Sequence, residues 1–336
     1  MTQSFLVKPS ELILKSGPMP QPQKGEALIR MERAGICGSD LHLFHKGHGL
    51  AHPITLGHEA VGIVEKLGLG VLPSLLGKRV VVEPNIPCEN CLECTNGMGH
   101  VCRNKRIIGV NENGCFTDYA AIPALYLHSI PDGISENDAV TIEPAAVAYS
   151  ALRRSELPAH STIAVIGLGA IGMLVCHIGL ALGYRVFAFD PIENKLEKAK
   201  KLGAHPIPKD TPVNIENFLT ACGVVGVFEC AGASKTATFS IEVAPRGAKI
   251  VLLGLSEDPA QFIPRVLARK GNTIMPSLIY DHPTDFQQTI ELINIGVIQP
   301  GFIVEADFAL NELITAFEHA QAGQAIKVTL NFSNHD

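Results

Sequence analysis

The sequence predicts an α/β protein in which a β-rich segment precedes a parallel, doubly wound sheet. From about residue 160, apolar strands alternate with helices, which is typical of a parallel sheet covered by helices. The 145 or so residues at the start contain short β-rich runs separated by Gly and Pro. The length of 336 residues allows about two domains, one for each pattern.

The individual elements follow from local patterns along the chain. Four runs of the first segment have strand composition: EALIRMERAGI, AVGIVEKLG, KRVVVEP and FTDYAAIP. Further on, TIAVIG and RVFAFD predict strands, each followed by a helix, AIGMLVCHIGLALG and NKLEKAKKLG. VVGVFECAG, AKIVLLG and NTIMPSLIY predict further strands. Two helices, TDFQQTIELINIG and LNELITAFEHAQAG, precede a closing strand, AIKVTLNF, which could rejoin the first segment.

Composition and charge argue against several classes of protein. The net charge of −6 and the lack of a basic run argue against nucleic acid or an anionic membrane surface as the main partner. The N-terminal residues have no basic region followed by an apolar core, so no signal peptide is expected. Nine cysteines without a secretory signal predict reduced thiols, metal binding and a cytoplasmic protein.

One apolar run has the length of a membrane span. Residues 163–182 include twenty positions without a charge. Three closely spaced glycines interrupt the run, and it has no flanking anchors. These features favour a buried strand, a tight turn and a buried helix in series.

The same run contains a dinucleotide-binding pattern, Gly-x-Gly-x-x-Gly, between its strand and its helix. The first glycine permits a tight turn, the second lets the backbone approach a pyrophosphate, and the third lets the helix pack close to the sheet. The N-terminal N–H groups of the helix would then face the phosphates. The predicted phosphate-binding residues are Gly167, Gly169, Ala170, Ile171 and Gly172.

Asp190 strengthens this interpretation, because it ends the next strand eighteen residues after Gly172. A carboxylate there accepts hydrogen bonds from the adenosine ribose and repels a 2′-phosphate, which favours NAD over NADP. The alternative is a strand-end residue that caps the next helix. Lys195 could reach the same ribose or be a solvated helix charge.

Four cysteines in PCENCLECTNGMGHVC predict a structural metal site. Cys88, Cys91, Cys94 and Cys102 can close a tetrahedral shell of four thiolates around zinc, leaving no position for substrate. Iron remains an alternative, since the same ligands suit it. The lobe that carries them spans about residues 84–106.

A second set of metal-binding residue types is more dispersed. AGICGSDLH provides Cys37 and TLGHEAVG provides His58 and Glu59, while TIEPAAVAYSAL provides Glu143. One Cys, one His and one carboxylate make a three-ligand zinc site that leaves a fourth position open to substrate. Each residue alone has a structural alternative: a core cysteine, a hydrogen-bonded histidine, a turn at Glu143.

These motifs together resemble the zinc-dependent medium-chain dehydrogenase/reductase family, nearest its polyol, threonine and alcohol dehydrogenase branches. The resemblance covers essentially the whole chain and rests on GHEAVGIV, CGSDLH, the four-cysteine loop and GLGAIG. It implies that Cys37, His58 and Glu143 hold a catalytic zinc, with Glu59 beside it as an alternative ligand. Asp40 is then expected to orient the zinc-bound histidine.

The resemblance also implies a fold and further contacts. A GroES-like catalytic domain from residues 1–148 and 281–336 would enclose an inserted Rossmann NAD-binding domain, residues 149–280. Two zinc ions and one NAD are expected per chain, in a homodimer or homotetramer. Further cofactor contacts are implied for Val147, Cys230, Leu253, Gly254, Leu255 and Leu278.

The expected reaction is oxidation of a secondary alcohol, a polyol or sugar derivative, with hydride transfer to NAD. Ser39 would take the substrate proton and pass it through the cofactor ribose to His42, although the two could be a cap and a solvated loop residue. Glu143, where classical alcohol dehydrogenases have Cys, favours a polyol over a simple primary alcohol.

Alternatives to this reaction remain open. The absence of tryptophan makes L-threonine a weaker alternative substrate. A non-catalytic NAD- and zinc-binding scaffold is the alternative outside enzymes. Three loop histidines could contact a hydroxylated substrate or be exposed loop residues; they are His45, His48 and His52.

Overall fold

The computed structural model describes residues 1–47 and 53–332. The chain divides into two compact units, Met1–Glu143 with Asp281–Asp336, and Pro144–Tyr280. The first boundary lies between Glu143 and Pro144, inside a helix, rather than after residue 148.

The strands, in chain order, are short in the first unit except for the third and fourth. They are β1 (Thr2–Lys8), β2 (Glu11–Ser16), β3 (Glu26–Ile36), β4 (Glu59–Leu67), β5 (Arg79–Val82), β6 (Asn85–Ile86), β7 (Arg106–Ile107), β8 (Tyr119–Pro123), β9 (Leu127–Ser129), β10 (Thr162–Ile166), β11 (Arg185–Phe189), β12 (His205–Pro206), β13 (Val224–Glu229), β14 (Lys249–Leu252), β15 (Thr273–Pro276), β16 (Val304–Ala309) and β17 (Lys327–Asn331).

The α-helices alternate with strands in the second unit. They are α1 (Gly38–Lys46), α2 (Leu92–Thr95), α3 (Glu136–Val140), α4 (Ile142–Arg154), α5 (Ala170–Ala181), α6 (Glu193–Leu202), α7 (Pro212–Ala221), α8 (Ser234–Val243), α9 (Pro264–Lys270), α10 (Thr284–Asn294) and α11 (Leu313–Gln321).

The second unit contains the predicted parallel, doubly wound sheet. Its strand order is β12-β11-β10-β13-β14-β15, and every neighbouring pair is parallel. Counted within the unit, this order is 3-2-1-4-5-6, that of a dinucleotide-binding fold. The order reverses between β10 and β13, and ligands of such sheets bind at the carboxyl ends of the strands at this point.

The apolar run 163–182 forms the expected strand, turn and helix, β10 and α5. None of the described helices is long and apolar enough to cross a membrane. The strand lies in the middle of the sheet and most of the helix is buried, which accounts for the lack of charge.

The first unit is built around a mostly antiparallel sheet of order β16-β17-β3-β4-β5-β9, with β8 also paired to β3. The closing strand β17 pairs antiparallel with β3, from Val328 opposite Ile36 to Asn331 opposite Arg33. The end of the chain therefore rejoins the N-terminal segment, as the sequence predicts. Apolar side chains from both segments share one core, in which the rings of Phe116 and Phe317 meet edge to face at 6.0 Å.

Candidate active site and metal centres

Cys37, His58 and Glu59 come together where β3 and β4 pair. Cys37 follows β3 and precedes α1, whereas His58 immediately precedes β4 and Glu59 is its first residue. The antiparallel register places Gly35 opposite Glu59. One ligand atom from each of Cys37, His58 and Glu59 lies within 4.8 Å of the other two.

Asp40 ties the two ligand-bearing segments together from a position that is fully buried. Its Oδ2 accepts the backbone N–H of Cys37 at 2.8 Å, and its Oδ1 accepts that of Gly57 at 3.2 Å. The same Oδ1 lies 3.4 Å from Nδ1 of His58. Asp40 therefore holds the backbone of both segments that carry the ligands, and its carboxylate faces Nδ1 of His58.

The imidazole of His58 is 8% exposed and lies beside the Asp40 carboxylate and the Cys37 sulfur. Burial alone lowers the pKa of His58, but the Asp40 carboxylate and the Cys37 sulfur outweigh it and raise this pKa well above its usual value. A cation is thus favoured here. A zinc ion would take the place of the imidazole proton, because metal ligands must be deprotonated.

Lys327, which the sequence analysis did not single out, is a buried cation in direct contact with this cluster. Its Nζ donates to both carboxylate oxygens of Glu59 at 2.7 Å and to the carbonyl oxygen of Ile36 at 3.2 Å. The two side chains are 3% and 1% exposed. Burial lowers the pKa of Lys327, but Glu59 and Cys37 raise it above its usual value.

Gly35 makes room for this pair. A Cβ atom at Gly35 would lie 2.2 Å from Oε2 of Glu59, so a larger residue would displace the carboxylate. The only sequence signal for Lys327 was a charged residue inside an otherwise apolar strand. That signal could not identify Glu59 as the partner, which lies 268 residues away in the sequence.

Glu143 is buried near the start of α4 but lies outside the group formed by Cys37, His58 and Glu59. Its charge also raises the pKa of Lys327, so it contributes to the same electrostatic field. Glu59, which the resemblance implies as an alternative ligand, therefore belongs to one group with Cys37 and His58, and the choice between Glu59 and Glu143 as the third ligand stays a prediction. Glu59 is adjacent to His58 in sequence, so the hydrogen bond from the N–H of Gly57 to Asp40 also helps to fix the backbone that carries Glu59.

Ser39 and His42 both lie on α1 and are exposed. The Oγ of Ser39 lies 3.4 Å from Nε2 of His58, next to the metal-binding cluster. His42 follows one helical turn later, and residues three apart share a helix face. His45 is exposed near the end of the same helix. His48 and His52 lie outside the described residues.

The four cysteines of the predicted structural site also come together. The Sγ atoms of Cys91 and Cys94 are 3.4 Å apart, and those of Cys91 and Cys102 are 3.7 Å apart. A tetrahedral zinc with four thiolates has sulfur–sulfur distances of about 3.8 Å, so the arrangement fits. The backbone N–H of Asn90 contributes most to lowering the pKa of Cys88 to about 6, whereas burial and neighbouring side chains raise the pKa of Cys91 to about 12. Without a metal, the group therefore favours a thiolate at Cys88 first. The two short strands β6 and β7, which pair antiparallel, join the two ends of this lobe.

The glycines after β10 meet the requirements of a phosphate-binding turn. Gly167 has φ +93°, and a Cβ there would lie 2.6 Å from the Cβ of Ala231. A Cβ at Gly172 would lie 1.8 Å from the carbonyl oxygen of Gly167. At Gly169, in contrast, no atom of the described residues lies within 4 Å of such a Cβ. Protein packing explains Gly167 and Gly172, while close approach of a ligand would explain Gly169. Ala170 and Ile171 begin α5 beside this turn.

Asp190 binds the backbone of the glycine turn and of the residues that follow its own strand. Its Oδ2 accepts the N–H of Leu168 at 2.8 Å, and its Oδ1 accepts that of Ile192 at 2.9 Å. Ile192 is the N-cap residue of α6, and this helix has no side-chain cap, so Asp190 does not cap it. Each carboxylate oxygen of Asp190 has a second lone pair available for a ribose hydroxyl. Lys195 is half-buried on α6, in the first turn.

The other proposed cofactor residues, except Val147, follow strands at the carboxyl edge of the sheet. Cys230 follows β13, and Leu278 follows β15. The residues after β14 are Leu253, Gly254 and Leu255. Val147 is half-buried on α4.

Glu229 holds the loop after β13 and was not predicted from the sequence. Its fully buried Oε1 accepts the N–H groups of Ala231 and Gly232 at 3.0 and 3.1 Å and the hydroxyl of Thr236 at 2.6 Å. The sequence signal was an acidic residue at the end of an apolar strand. This carboxylate keeps the loop beside Gly167 in place.

Comparisons with known proteins agree with both units. Residues 23–132 match the family described as alcohol dehydrogenase GroES-like domain, and residues 170–294 match the family described as zinc-binding dehydrogenase. The chain is similar to L-threonine 3-dehydrogenase of Bacillus subtilis, at 32% identity over 95% of this chain and 94% of that protein. It is also similar to sorbitol dehydrogenase of Halalkalibacterium halodurans, at 28% identity over 93% of each chain.

A solved structure shows the same fold with a bound cofactor. It is the rspB alcohol dehydrogenase of Escherichia coli CFT073, complexed with NADH. The similarity has a TM-score of 0.91 and 29% identity, and it covers 99% of both chains.

Proposed function

Because the chain belongs to the zinc-dependent medium-chain alcohol dehydrogenase family, we propose that it oxidises a secondary alcohol, a polyol or sugar derivative, to the ketone. The protein is a zinc- and NAD-dependent oxidoreductase. The observation that supports the proposed site most directly is the cluster of Cys37, His58 and Glu59 around the buried Asp40.

Cys37, His58 and one carboxylate would hold the catalytic zinc, with Glu143 as the third ligand and Glu59 as its alternative. Zinc supplies Lewis acidity to the substrate hydroxyl, and the nicotinamide of NAD accepts the hydride. Lys327 competes for Glu59 through two hydrogen bonds of 2.7 Å, which supports Glu143 as the more available ligand when substrate binds.

Ser39 would accept the hydroxyl proton of the substrate, because its Oγ lies 3.4 Å from Nε2 of His58 and is exposed. His42, one turn away and also exposed, would carry the proton onward. Ser39→Ala should lower kcat, whereas Ser39→Thr, which retains the hydroxyl, should preserve it. His42→Gln should change the pH dependence of kcat. Wild-type kcat in Ser39→Ala would argue against this proton route.

The nucleotide site would consist of the Gly167–Gly172 turn, Asp190 and Lys195, with Val147, Cys230 and the residues after β14 and β15 as further contacts. The side chain of Leu255 is 75% exposed, which is consistent with a contact to a bound nucleotide.

The proposed function can be tested by following NADH absorbance over polyols, sugar acids, L-threonine and simple alcohols, with zinc present. The zinc-ligand variants Cys37→Ala and His58→Ala should lose oxidation of any substrate that the wild type oxidises. Cys222→Ala is a matched control, since Cys222 is half-buried outside both cysteine sites. Wild-type rates in Cys37→Ala would contradict the zinc site, and comparison of Glu143→Gln with Glu59→Gln assigns the third ligand.

The same screen distinguishes the alternatives. Turnover of primary monoalcohols alone would favour a simple alcohol dehydrogenase, and turnover of L-threonine would favour the function named for the B. subtilis relative. NAD binding and bound zinc without turnover of any substrate would favour a scaffold. The intact ligand set favours an enzyme.

The four-cysteine lobe is proposed to hold a structural zinc. Cys94→Ser should lower thermal stability or disturb assembly before it lowers turnover, and unchanged stability would contradict the proposal. Iron instead of zinc would appear as visible absorption of the purified protein. We also propose a homodimer or homotetramer in a reducing compartment such as the cytoplasm, consistent with nine cysteines that are all free of disulfides and all within the described residues.

A further inference from the structure

A third group of metal-binding side chains lies in the first unit, apart from both zinc sites. It consists of Glu83, His128 and His282, and one ligand atom from each lies within 4.8 Å of the other two. Glu83 follows β5, and His128 lies on β9, which pairs with β5 and places His128 opposite Val81. His282 lies just before α10. The topology thus brings together three segments that are far apart in sequence.

The carboxylate of Glu83 is fully buried, and only one of its oxygens is satisfied by the described residues. Oε2 lies 2.6 Å from Nε2 of His128 and 2.7 Å from Nδ1 of His282. Oε1 is buried, and none of the described residues forms a hydrogen bond with it. A charged oxygen that is buried without a partner destabilises the folded protein. A bound cation would compensate the negative charge of both oxygens of this carboxylate.

Aromatic neighbours hold both imidazole rings. His128 stacks on Phe286, with ring centroids 5.0 Å apart and planes 22° apart. The ring of His282 lies 4.7 Å from that of Tyr126. Such contacts preorganise the ligand atoms, which favours metal binding. The side chain of His282 is 24% exposed, so an ion from solvent has a route to the group.

We propose that Glu83, His128 and His282 form a third divalent-cation site, of the zinc type. Two imidazole nitrogens and one carboxylate oxygen are a known zinc ligand set, and they leave a position for water. Around zinc, nitrogen and oxygen ligands lie about 3.3 Å apart, so the side chains need to separate by about 0.6 Å from their hydrogen-bonded positions. The ion replaces the two N–H hydrogens, which move to the other ring nitrogens or are released to solvent.

This site would fasten the segment that re-enters the first unit at Asp281. The neighbouring Asp281 already contacts the four-cysteine lobe, since its Oδ1 lies 3.0 Å from Nδ1 of His100. A metal bound by His282 would add a second attachment, to the sheet strands β5 and β9. Its role would be structural, and it does not depend on the identity of the substrate.

Cobalt substitution tests the third site on the full-length protein. Metal-free protein would be titrated with Co²⁺ at neutral pH, and bound metal per chain measured after desalting. Thiolate-to-cobalt absorption in the near ultraviolet reports the two cysteine-containing sites separately from a site without sulfur. The wild type should bind three equivalents, and His282→Asn should bind two with unchanged thiolate absorption. His128→Asn should behave in the same way.

The matched control is His205→Asn, which changes an exposed histidine of the second unit and should retain three equivalents. Unchanged thiolate absorption also shows that a variant has folded around its cysteine sites. Two equivalents in the wild type, with thiolate absorption showing that both cysteine-containing sites are filled, would overturn the third site, as would three equivalents in His282→Asn. Either result would leave the proposed dehydrogenase function untouched, because that function depends on the thiolate-containing catalytic site and is measured by NADH formation.

Discussion

Replacing Lys327 with Met should destabilise the first unit strongly, because Glu59 would remain buried without its cation. The pair is 3% and 1% exposed, and Nζ donates to both oxygens of Glu59 at 2.7 Å. Removing one partner of a buried ion pair costs about 3–5 kcal/mol. The free energy of unfolding should fall by that amount, which lowers the urea midpoint by roughly 1–2 M.

The assay is equilibrium urea unfolding in a Cys37→Ala background, with zinc-buffered solution. The background prevents a catalytic zinc from replacing the missing cation, while the four-cysteine site stays loaded. Lys327→Met with Glu59→Gln should recover most of the loss, since neither charge is then left buried alone. Because the folded-state pKa of Lys327 is raised, its contribution is complete below its unfolded pKa of about 10.5 and disappears only as pH rises through the higher folded value.

Lys8→Met provides the matched control, because Lys8 and Glu11 form an ion pair of 2.8 Å with side chains 69% and 46% exposed. Removing an exposed pair should change the free energy of unfolding little, because solvent screens the two charges. The reasoning is refuted if Lys327→Met costs no more than Lys8→Met, or if the additional Glu59→Gln change makes the loss larger.

Three further predictions concern the nucleotide-binding unit and the thiols. G169A should leave the free energy of unfolding within about 0.5 kcal/mol of wild type, yet it should weaken NAD binding at least about tenfold. G172A, whose Cβ would lie 1.8 Å from the carbonyl oxygen of Gly167, should lose about 1–3 kcal/mol or more of stability. Calorimetric NAD titration and urea unfolding compare the two variants, and NAD binding by G169A as tight as wild type would contradict a close approach of the cofactor to Gly169. Asp190→Ser should raise the ratio of kcat/KM for NADP to that for NAD by about tenfold or more, since the repelling carboxylate is gone; an unchanged ratio in steady-state assays would count against its ribose role. Burial raises the pKa of Cys176 to about 12, so at pH 8 only about one thiol in ten thousand is ionised. A thiol reagent should therefore not label Cys176 in the native protein, whereas the four-cysteine loop should react once zinc is chelated. Peptide mapping that finds Cys176 labelled in the native protein would contradict this.

Much of the fold could be predicted because its signals are local. EALIRMERAGI coincides with β3, and the glycine pattern lies in the turn between β10 and α5. Helix α4, in contrast, was not predicted, since Pro144 after Glu143 suggested a turn. Pro is tolerated in the first turn of a helix, where its missing N–H has no intrahelical partner to lose. The β1–β2 hairpin at the N-terminus also went unpredicted.

The sequence by itself determined the dinucleotide turn, Asp190 after the next strand, and the four-cysteine loop. In each case the chemistry lies within about twenty residues, so spacing along the chain corresponds to distance in space. Only the tertiary structure decided that Lys327 pairs with Glu59, 268 residues away, and that His282 meets Glu83, 199 residues away. Those contacts depend on the register of β17 against β3 and on where the chain re-enters the first unit. Sheet pairing between distant segments, rather than residue spacing, sets these distances, including those that bring Cys37 together with His58 and Glu59.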